Sequence, residues 1–228
     1  MKRYAFNLLF IAQVTQYVGC LIFTMIDAHT RRDIPYNDAI IKSFVSGAGC
    51  LAMYYLLTSD YEWMRGDNII APTPSMFECV GQAVVCTLLS DFMHYWSHRL
   101  LHYSTFLRNK VHSTHHSHSG PLYSWVGMDV NPIEAVIVNT CIYLPFVMFA
   151  HPYVGYTFAL LATINATVAH SGYSRGGLAT FGMPCALTPK EHEMHHDVNS
   201  TKNFGNILNI WDKWCGTYTN RGRQTAQL

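Results

Sequence analysis

The stretch DFMHYWSHRLLH, from Asp91 to His102, spaces His94, His98 and His102 four residues apart in a mostly apolar segment. Side chains four residues apart lie on the same face of an α-helix. Asp91, three residues before His94, falls on that face as well. The spacing therefore predicts an apolar helix with one polar stripe, and buried imidazoles need a partner.

Two further histidine groups share the spacing HxxHH. They are His112, His115 and His116, and His192, His195 and His196. On a helix, the first histidine of each group reaches the side of both others through its i+3 and i+4 steps. The adjacent pair diverges by about 100° at 3.6 residues per turn, so it can serve two neighbouring metal ions, one each. His170 ends the last apolar run and is expected at the same membrane face.

Metal binding explains these groups better than isolated structural roles, which remain the interpretation for His29 and His151. A metal ion gives many buried imidazoles a partner at once. One metal ion takes about four to six ligands. Nine histidines are more than one ion can use, so two ions are expected. Structural zinc usually takes cysteine, and none of the seven cysteines lies beside the histidines. Redox-active iron is favoured, while zinc and manganese stay open.

Metal-bound histidines usually pass their second N–H to an acceptor. Carboxylates near the groups are therefore candidate partners, although each one alone is as well explained as a solvated surface residue. They are Asp91, Asp129, Glu134, Glu191, Glu193 and Asp197.

The composition indicates a membrane protein. Of the 228 residues, 50% are hydrophobic and 13% are charged, against about 25% charged in a soluble domain. The net charge of +1 gives no field that would attract nucleic acid. A membrane-spanning helix needs about 20 mostly apolar residues. Five runs approach this length: 4–26, 39–57, 77–95, 133–150 and 153–169.

The last two runs are separated by His151-Pro152, which predicts a helical hairpin. That turn carries no Lys or Arg, whereas the histidine-rich side carries most of the basic residues. Positive residues stay on the cytoplasmic side, so the histidines are expected to face the cytoplasm. The predicted fold is an all-α membrane bundle of about four transmembrane helices with a cytoplasmic helical cap. Residues 1–76 are expected to form N-terminal membrane helices, 77–220 the catalytic domain and 221–228 a tail.

The three histidine groups, in this order, resemble the fatty acid hydroxylase and sterol desaturase superfamily of membrane di-iron enzymes. The segment DFMHYWSHRLLHYSTF from Asp91 and the HSGY at 170–173 look most like C4-methylsterol oxidases. The tail from His192 to Tyr218 resembles the superfamily's last histidine box and its closing "WD…GT" element. The resemblance covers roughly residues 77–218.

The resemblance implies a ligand set and moves His94 to a supporting role. The implied ligands are His98, His102, His112, His115, His116, His170, His192, His195 and His196. The implied supporting residues are Asp91, His94, His118, Asn131, Glu134 and Asp197. Asn131 stands where sterol-acting relatives often carry a histidine, and residues 174–177 also depart from the family pattern.

The activity implied is O2-dependent hydroxylation, oxidation or desaturation of a lipid by two iron ions. No haem-binding or flavin-binding segment is visible, so a separate donor, such as a membrane cytochrome or reductase, is expected to supply electrons. A sterol is the favoured substrate, and a fatty acyl or sphingoid lipid is the alternative. The membrane of the endoplasmic reticulum is the expected location in a eukaryote. A non-catalytic metal-binding or transport protein is the alternative of another class, although a transporter needs polar residues through its spans.

Overall fold

The computed structural model describes residues 2–30, 40–41, 44, 47–48, 72–118, 122–173, 185–197 and 201–220, and only the backbone of residues 2–6 and 197. Its α-helices are α1 (Lys2–His29), α2 (Met76–Tyr103), α3 (Thr105–Leu107), α4 (Pro132–Phe149), α5 (Pro152–Ala169), α6 (Pro189–Asp197) and α7 (Ile210–Trp214). Within these described ranges the only β-structure is an isolated antiparallel bridge between Ala186 and Leu208. The predicted all-α fold is confirmed.

Three described helices are long and apolar enough to cross a membrane, namely Asn7–His29, Met76–Tyr103 and Pro132–Phe149. They correspond to the first, third and fourth predicted runs. The fifth run forms α5, which falls outside this set because its threonines and Asn165 dilute its apolar residues. The second predicted run and the predicted C-terminal tail lie outside the described residues, apart from 40–41, 44 and 47–48.

Helix α2 carries the first histidine group and begins at a capping box. The Ser75 hydroxyl accepts a hydrogen bond from the Glu78 backbone N–H (3.3 Å), and the Glu78 carboxylate accepts one from the Ser75 N–H (2.7 Å). One face of the helix is buried and includes Asp91 and all three histidines. The opposite face exposes Phe92, Leu88 and other large apolar side chains. An apolar outer face suits contact with lipid.

The predicted hairpin is present and joins α4 to α5 at His151. Each of the two helices begins with proline at its first position, which costs no hydrogen bond there. The His151 backbone N–H donates to the Gln82 side-chain oxygen (2.8 Å), which ties the turn to α2. About two helical turns further along α2, the Ser90 hydroxyl donates to the Ile142 carbonyl of α4 (2.7 Å). The hairpin therefore packs against α2 both at its turn and along α4.

Helix α1 packs against this hairpin and closes the bundle. The main core contains Leu8 and Leu9 of α1 with Phe146 of α4 and Phe158 of α5. The rings of Phe146 and Phe158 stack with centroids 3.7 Å apart. A second cluster packs Cys20 of α1 against the segment 122–128, which contains the 3-10 turn Ser124–Met128. The six cysteines in the described part of the chain are free thiols.

The chain after α2 is less regular than the HxxHH spacing suggested. A π-helical turn, Arg108–His112, is followed by a 3-10 turn, His115–Ser117. The second histidine group is therefore distributed over two turns of different pitch. The His112 ring nevertheless contacts both later histidines of its group, as predicted, with centroids 5.6 Å from the His115 ring and 4.6 Å from the His116 ring.

Replacing Ser75 with Ala removes the hydroxyl half of the capping box. We expect the full chain to lose about 1 kcal/mol of unfolding free energy, since an N-terminal backbone N–H then lacks its acceptor. Thermal unfolding in detergent measures this. Thr73→Ala, two residues before the helix cap, is the matched control. Equal melting temperatures for the two variants would contradict the assignment of the cap.

Candidate metal centre

The nine histidines predicted as ligands converge in two groups. In the first, one nitrogen from each of five histidines lies within 4.8 Å of the others, and in the second the same holds for four. The first group is His98, His102, His112, His116 and His195. The second group is His115, His170, His192 and His196. Each HxxHH segment therefore contributes to both groups, with one adjacent histidine in each.

The two groups share a boundary. The His115 ring lies 4.5 Å from the His196 ring within the second group. Across the boundary, the rings of His116 and His196 stack with centroids 4.7 Å apart. In each HxxHH segment the first histidine falls in the group of the histidine four residues later, His112 with His116 and His192 with His196. The divergence of adjacent histidines agrees with the prediction from helical geometry.

The spacing of the ring nitrogens suits metal ligation. The Nε2 atoms of His102 and His112 lie 2.8 Å apart. The same distance separates the Nε2 atoms of His170 and His192. Two imidazoles bound at right angles at about 2.1 Å from an ion have nitrogens about 3.0 Å apart. The pairs therefore match the separation that neighbouring ligands of one ion require.

Buried ring nitrogens without a hydrogen-bond partner give a second test of whether a metal ion fits this site. Neither ring nitrogen of His196 has a hydrogen-bond partner, and the same holds for Nδ1 of His115 and for Nε2 of His116. A buried polar atom without a partner is costly. A metal ion supplies that partner, so the donor set fits one or more ions bound by imidazole.

Four histidines have their second nitrogen fixed by an acceptor. The Nδ1–H groups of His98, His195 and His170 donate to the carbonyls of Phe204 (3.0 Å), Lys202 (2.6 Å) and Ala166 (2.8 Å). The Nδ1–H of His112 donates to the Glu134 carboxylate (2.7 Å). With the proton held on Nδ1, the Nε2 lone pair of each ring points into its group.

The loop that supplies two of these carbonyls is held by buried aspartates. The Asp212 carboxylate accepts hydrogen bonds from the Phe204 N–H (2.9 Å) and the Gly205 N–H (2.8 Å). The Asp91 carboxylate accepts from the Ile207 N–H (2.7 Å). The Asp212 side chain also accepts from the Thr217 hydroxyl (2.7 Å). The loop position, and with it the orientation of the His98 ring, depends on these two side chains.

Burial keeps the histidines neutral. Desolvation, followed by the proximity of other histidines, lowers the pKa of His116 to about 3. Desolvation lowers the pKa of His170 to about 4, although its bond to the Ala166 carbonyl opposes the shift. The same desolvation holds the pKa of His195 well below its ordinary value. Neutral imidazole is the form that binds metal.

The predicted supporting residues separate into different roles. Glu134 contacts a clustered histidine, His112, and His94 lies beside His98 with ring centroids 5.3 Å apart. Asp91 holds a loop, and the Asn131 side chain accepts from the Ile133 N–H at the start of α4 (2.9 Å). The remaining ones are His118, which pairs with Asp129 outside both groups (2.7 Å), and Asp197, whose side chain is not described.

Sequence reasoning missed the backbone acceptors and Asp212. A carbonyl acceptor leaves no side-chain signal in the sequence, although Asp212 belongs to the "WD…GT" element that resembles the family. Gly127 was also missed. A Cβ at that position would lie 2.8 Å from Nδ1 of His170, so glycine makes room for that ring.

Comparison with known proteins identifies the family of the chain. The sequence profile described as fatty acid hydroxylase matches residues 83–217, more than half of the chain. The chain belongs to the fatty acid hydroxylase family. This confirms the resemblance inferred from the histidine groups, and the matched range contains both groups of the metal centre. No solved structure gives a significant match.

Curated relatives of the family include proteins named for sterols. Fatty acid hydroxylase domain-containing protein 2 of Homo sapiens is 31% identical over 82% of this chain and 51% of its own length. Methylsterol monooxygenase 1-3 of Arabidopsis thaliana is 30% identical over 64% of this chain and 50% of its own. C-4 methylsterol oxidase erg25 of Schizosaccharomyces pombe is 26% identical over the same shares. The chain spans about half the length of these relatives.

Replacing Asp212 with Asn should loosen the metal centre without touching a histidine. The amide NH2 group cannot accept from the loop N–H that the carboxylate oxygen holds, so the carbonyl that orients His98 is released. We expect metal retention against a chelator to weaken about tenfold. Metal per purified chain measures this, with Asp129→Asn as the matched control. Wild-type retention in the Asp212 variant would contradict a positioning role.

Acid should destabilise the metal-free chain. Unfolded histidines protonate near pH 6.5, whereas His170 and His116 stay neutral in the fold down to about pH 4 and 3. Between these values the unfolded chain binds more protons, so stability falls as pH decreases below about 6.5, by about 1.4 kcal/mol per pH unit for each such group. Thermal unfolding at about pH 7.5 and pH 5 measures this. An unchanged or higher melting temperature at the lower pH would contradict burial of neutral histidines.

Proposed function

We propose that this chain is a membrane oxidoreductase that binds two iron ions through nine histidines and oxidises a lipid with molecular oxygen. The proposal rests on one observation: two adjacent groups of histidines, all buried except the half-buried His116, open into a single cavity. His98 and His112 of the first group line this cavity, as do His115, His170 and His192 of the second. Both ions would therefore face the same bound molecule.

The number of ligands leaves positions free. Iron accepts about six ligands in octahedral geometry. One group offers five histidines and the other offers four. When bound, the iron pair supplies the reduction of oxygen and the oxidation of an unactivated C–H bond. Among the described residues neither group contains a thiolate, which distinguishes this donor set from cysteine-rich structural zinc sites.

The protein's own residues orient the ligands and exclude water. The second nitrogen of His98 is fixed by the Phe204 carbonyl, and that of His112 by Glu134. The cavity measures about 150 Å³, and its walls away from the histidines are mainly apolar. A dry, shaped pocket favours an apolar substrate and limits side reactions of activated oxygen. The residues thus supply position and environment, and the metal supplies the redox chemistry.

Hydroxylation requires oxygen, electrons and protons in addition to the lipid. Each C–H bond converted to C–OH uses one O2 molecule, two electrons and two protons, and releases one water molecule. The electrons are expected from a separate membrane cytochrome or reductase. The basic side of the protein, which includes Arg99, Arg108 and Lys110 near the histidines, is expected to face the cytoplasm. The membrane is that of the endoplasmic reticulum if the source is eukaryotic.

A sterol is the proposed substrate class. Relatives from a plant and a yeast carry the names methylsterol monooxygenase and C-4 methylsterol oxidase. The human relative is named only for its fatty acid hydroxylase domain, so a fatty acyl or sphingoid lipid is the alternative. Lipid profiling of membranes with and without the chain distinguishes the two.

Replacing His195 with Ala should abolish lipid oxidation. His195 is fully buried in the first group, and its loss removes a ligand and leaves a void beside His98. We expect wild-type membranes, supplied with electrons and isotope-labelled O2, to place the label in a lipid product. The wild-type chain should hold about two iron ions, and the variant should show no product above background.

His29→Ala is the matched control, because His29 lies at the exposed end of α1 outside both groups. Full oxidation by the His195 variant would contradict the proposed centre. Metal flux across vesicles without any labelled lipid would instead favour the transport alternative.

A further inference from the structure

Helix α1 forms one wall of the cavity although it lies outside the family match at 83–217. It contributes Leu9, Ala12, Gln13 and Gln16. These positions follow the i, i+3, i+4 and i+7 spacing of a single helix face. One face of α1 is therefore directed at the space into which the histidines open.

Helix α1 is fixed to the histidine-bearing part of the chain. The Tyr173 hydroxyl, three residues after His170, donates to the fully buried Asp27 carboxylate (2.6 Å). The Trp125 indole N–H donates to the Thr24 hydroxyl (2.9 Å). These bonds hold α1 in register with the metal centre, so its cavity-facing side chains have a defined position relative to the histidines.

Carboxamides are unexpected on this wall. Gln13 and Gln16 belong to a helix apolar enough to span a membrane, where polar side chains are costly and usually serve a function. The Gln13 side chain hydrogen-bonds the Tyr17 side chain. A Cβ added at Gly47 would lie 2.9 Å from Gln13 Cδ, so the carboxamide is also packed in place. From α4, Asn139 faces the same cavity.

The size of the cavity limits what these side chains can contact. A volume of about 150 Å³ is comparable to an apolar protein cavity that holds one benzene molecule. A bound lipid can therefore place about one ring, or an equivalent length of chain, between the carboxamides and the histidines. Within that space, a polar group that contacts Gln13 or Gln16 lies close, along the lipid, to the carbon that is oxidised.

We propose that Gln13 and Gln16 bind a hydroxyl group of the substrate and select lipids whose hydroxyl lies within a few bonds of the oxidised carbon. This rests on the proposed function for the reaction and adds the specificity-determining residues. A carboxamide can donate to and accept from a hydroxyl, and a site built for a hydroxyl disfavours the analogue that lacks it. An acyl chain whose only polar group lies many carbons from the reacting bond fits this arrangement poorly.

Equilibrium binding tests the proposal separately from turnover. The full, metal-loaded chain in lipid nanodiscs, without an electron donor, is titrated with a 4-methylsterol and with its 3-deoxy analogue. We expect the wild-type chain to bind the hydroxylated sterol roughly tenfold more tightly, which corresponds to one or two hydrogen bonds in a dry site. Gln13→Leu with Gln16→Leu should reduce this preference to roughly twofold or less, with metal content unchanged.

Thr15→Val is the matched control, because it removes a hydroxyl from the same helix at a position that does not line the cavity. Equal binding of the two sterols by the wild-type chain would overturn the proposal, and this holds even if the glutamine variants fail to fold. A preserved preference in the folded double variant would overturn it as well. A chain that prefers the hydroxylated sterol but oxidises no lipid would support this inference and contradict the proposed function.

Discussion

Eight buried imidazoles and the half-buried ring of His116 need partners for their ring nitrogens, and this requirement governs the arrangement around them. Their burial lowers the pKa values, as at His116 and His170, so each neutral ring carries one lone pair and one N–H. Backbone carbonyls and Glu134 accept the N–H of four rings. The lone pairs converge in two groups, where a metal ion is the partner that serves several rings at once.

The orientation of the rings depends on a loop far along the chain. The segment 202–208 places its carbonyls against His98 and His195, and this segment is held in turn by Asp91 and Asp212. A carboxylate that accepts hydrogen bonds from backbone N–H groups can hold a loop in place even where the loop has no regular secondary structure. The geometry of the two histidine groups therefore depends on buried aspartates that bond to this loop, and on one glycine, Gly127, that leaves room for the His170 ring.

The helices of the bundle direct polar side chains into the interior around the histidines and apolar side chains toward the core and the outer surface. Helix α2 turns its histidines inward and exposes Phe92 and Leu88 outward. The hairpin of α4 and α5 supplies the apolar core through Phe146 and Phe158. Helix α1 completes the cavity from outside the matched family segment.

The sequence by itself determined the all-α membrane fold, the hairpin at His151-Pro152 and the nine converging histidines. These features follow from local period and from apolar length, which the order of residues carries directly. The sequence also predicted that adjacent histidines diverge, since that angle is a property of helical backbone. Only the tertiary structure decided that His112 lies with His116, that Asn131 caps a helix, and that His118 pairs with Asp129. Those choices depend on contacts between distant segments and on backbone carbonyls, whose positions no side-chain pattern records.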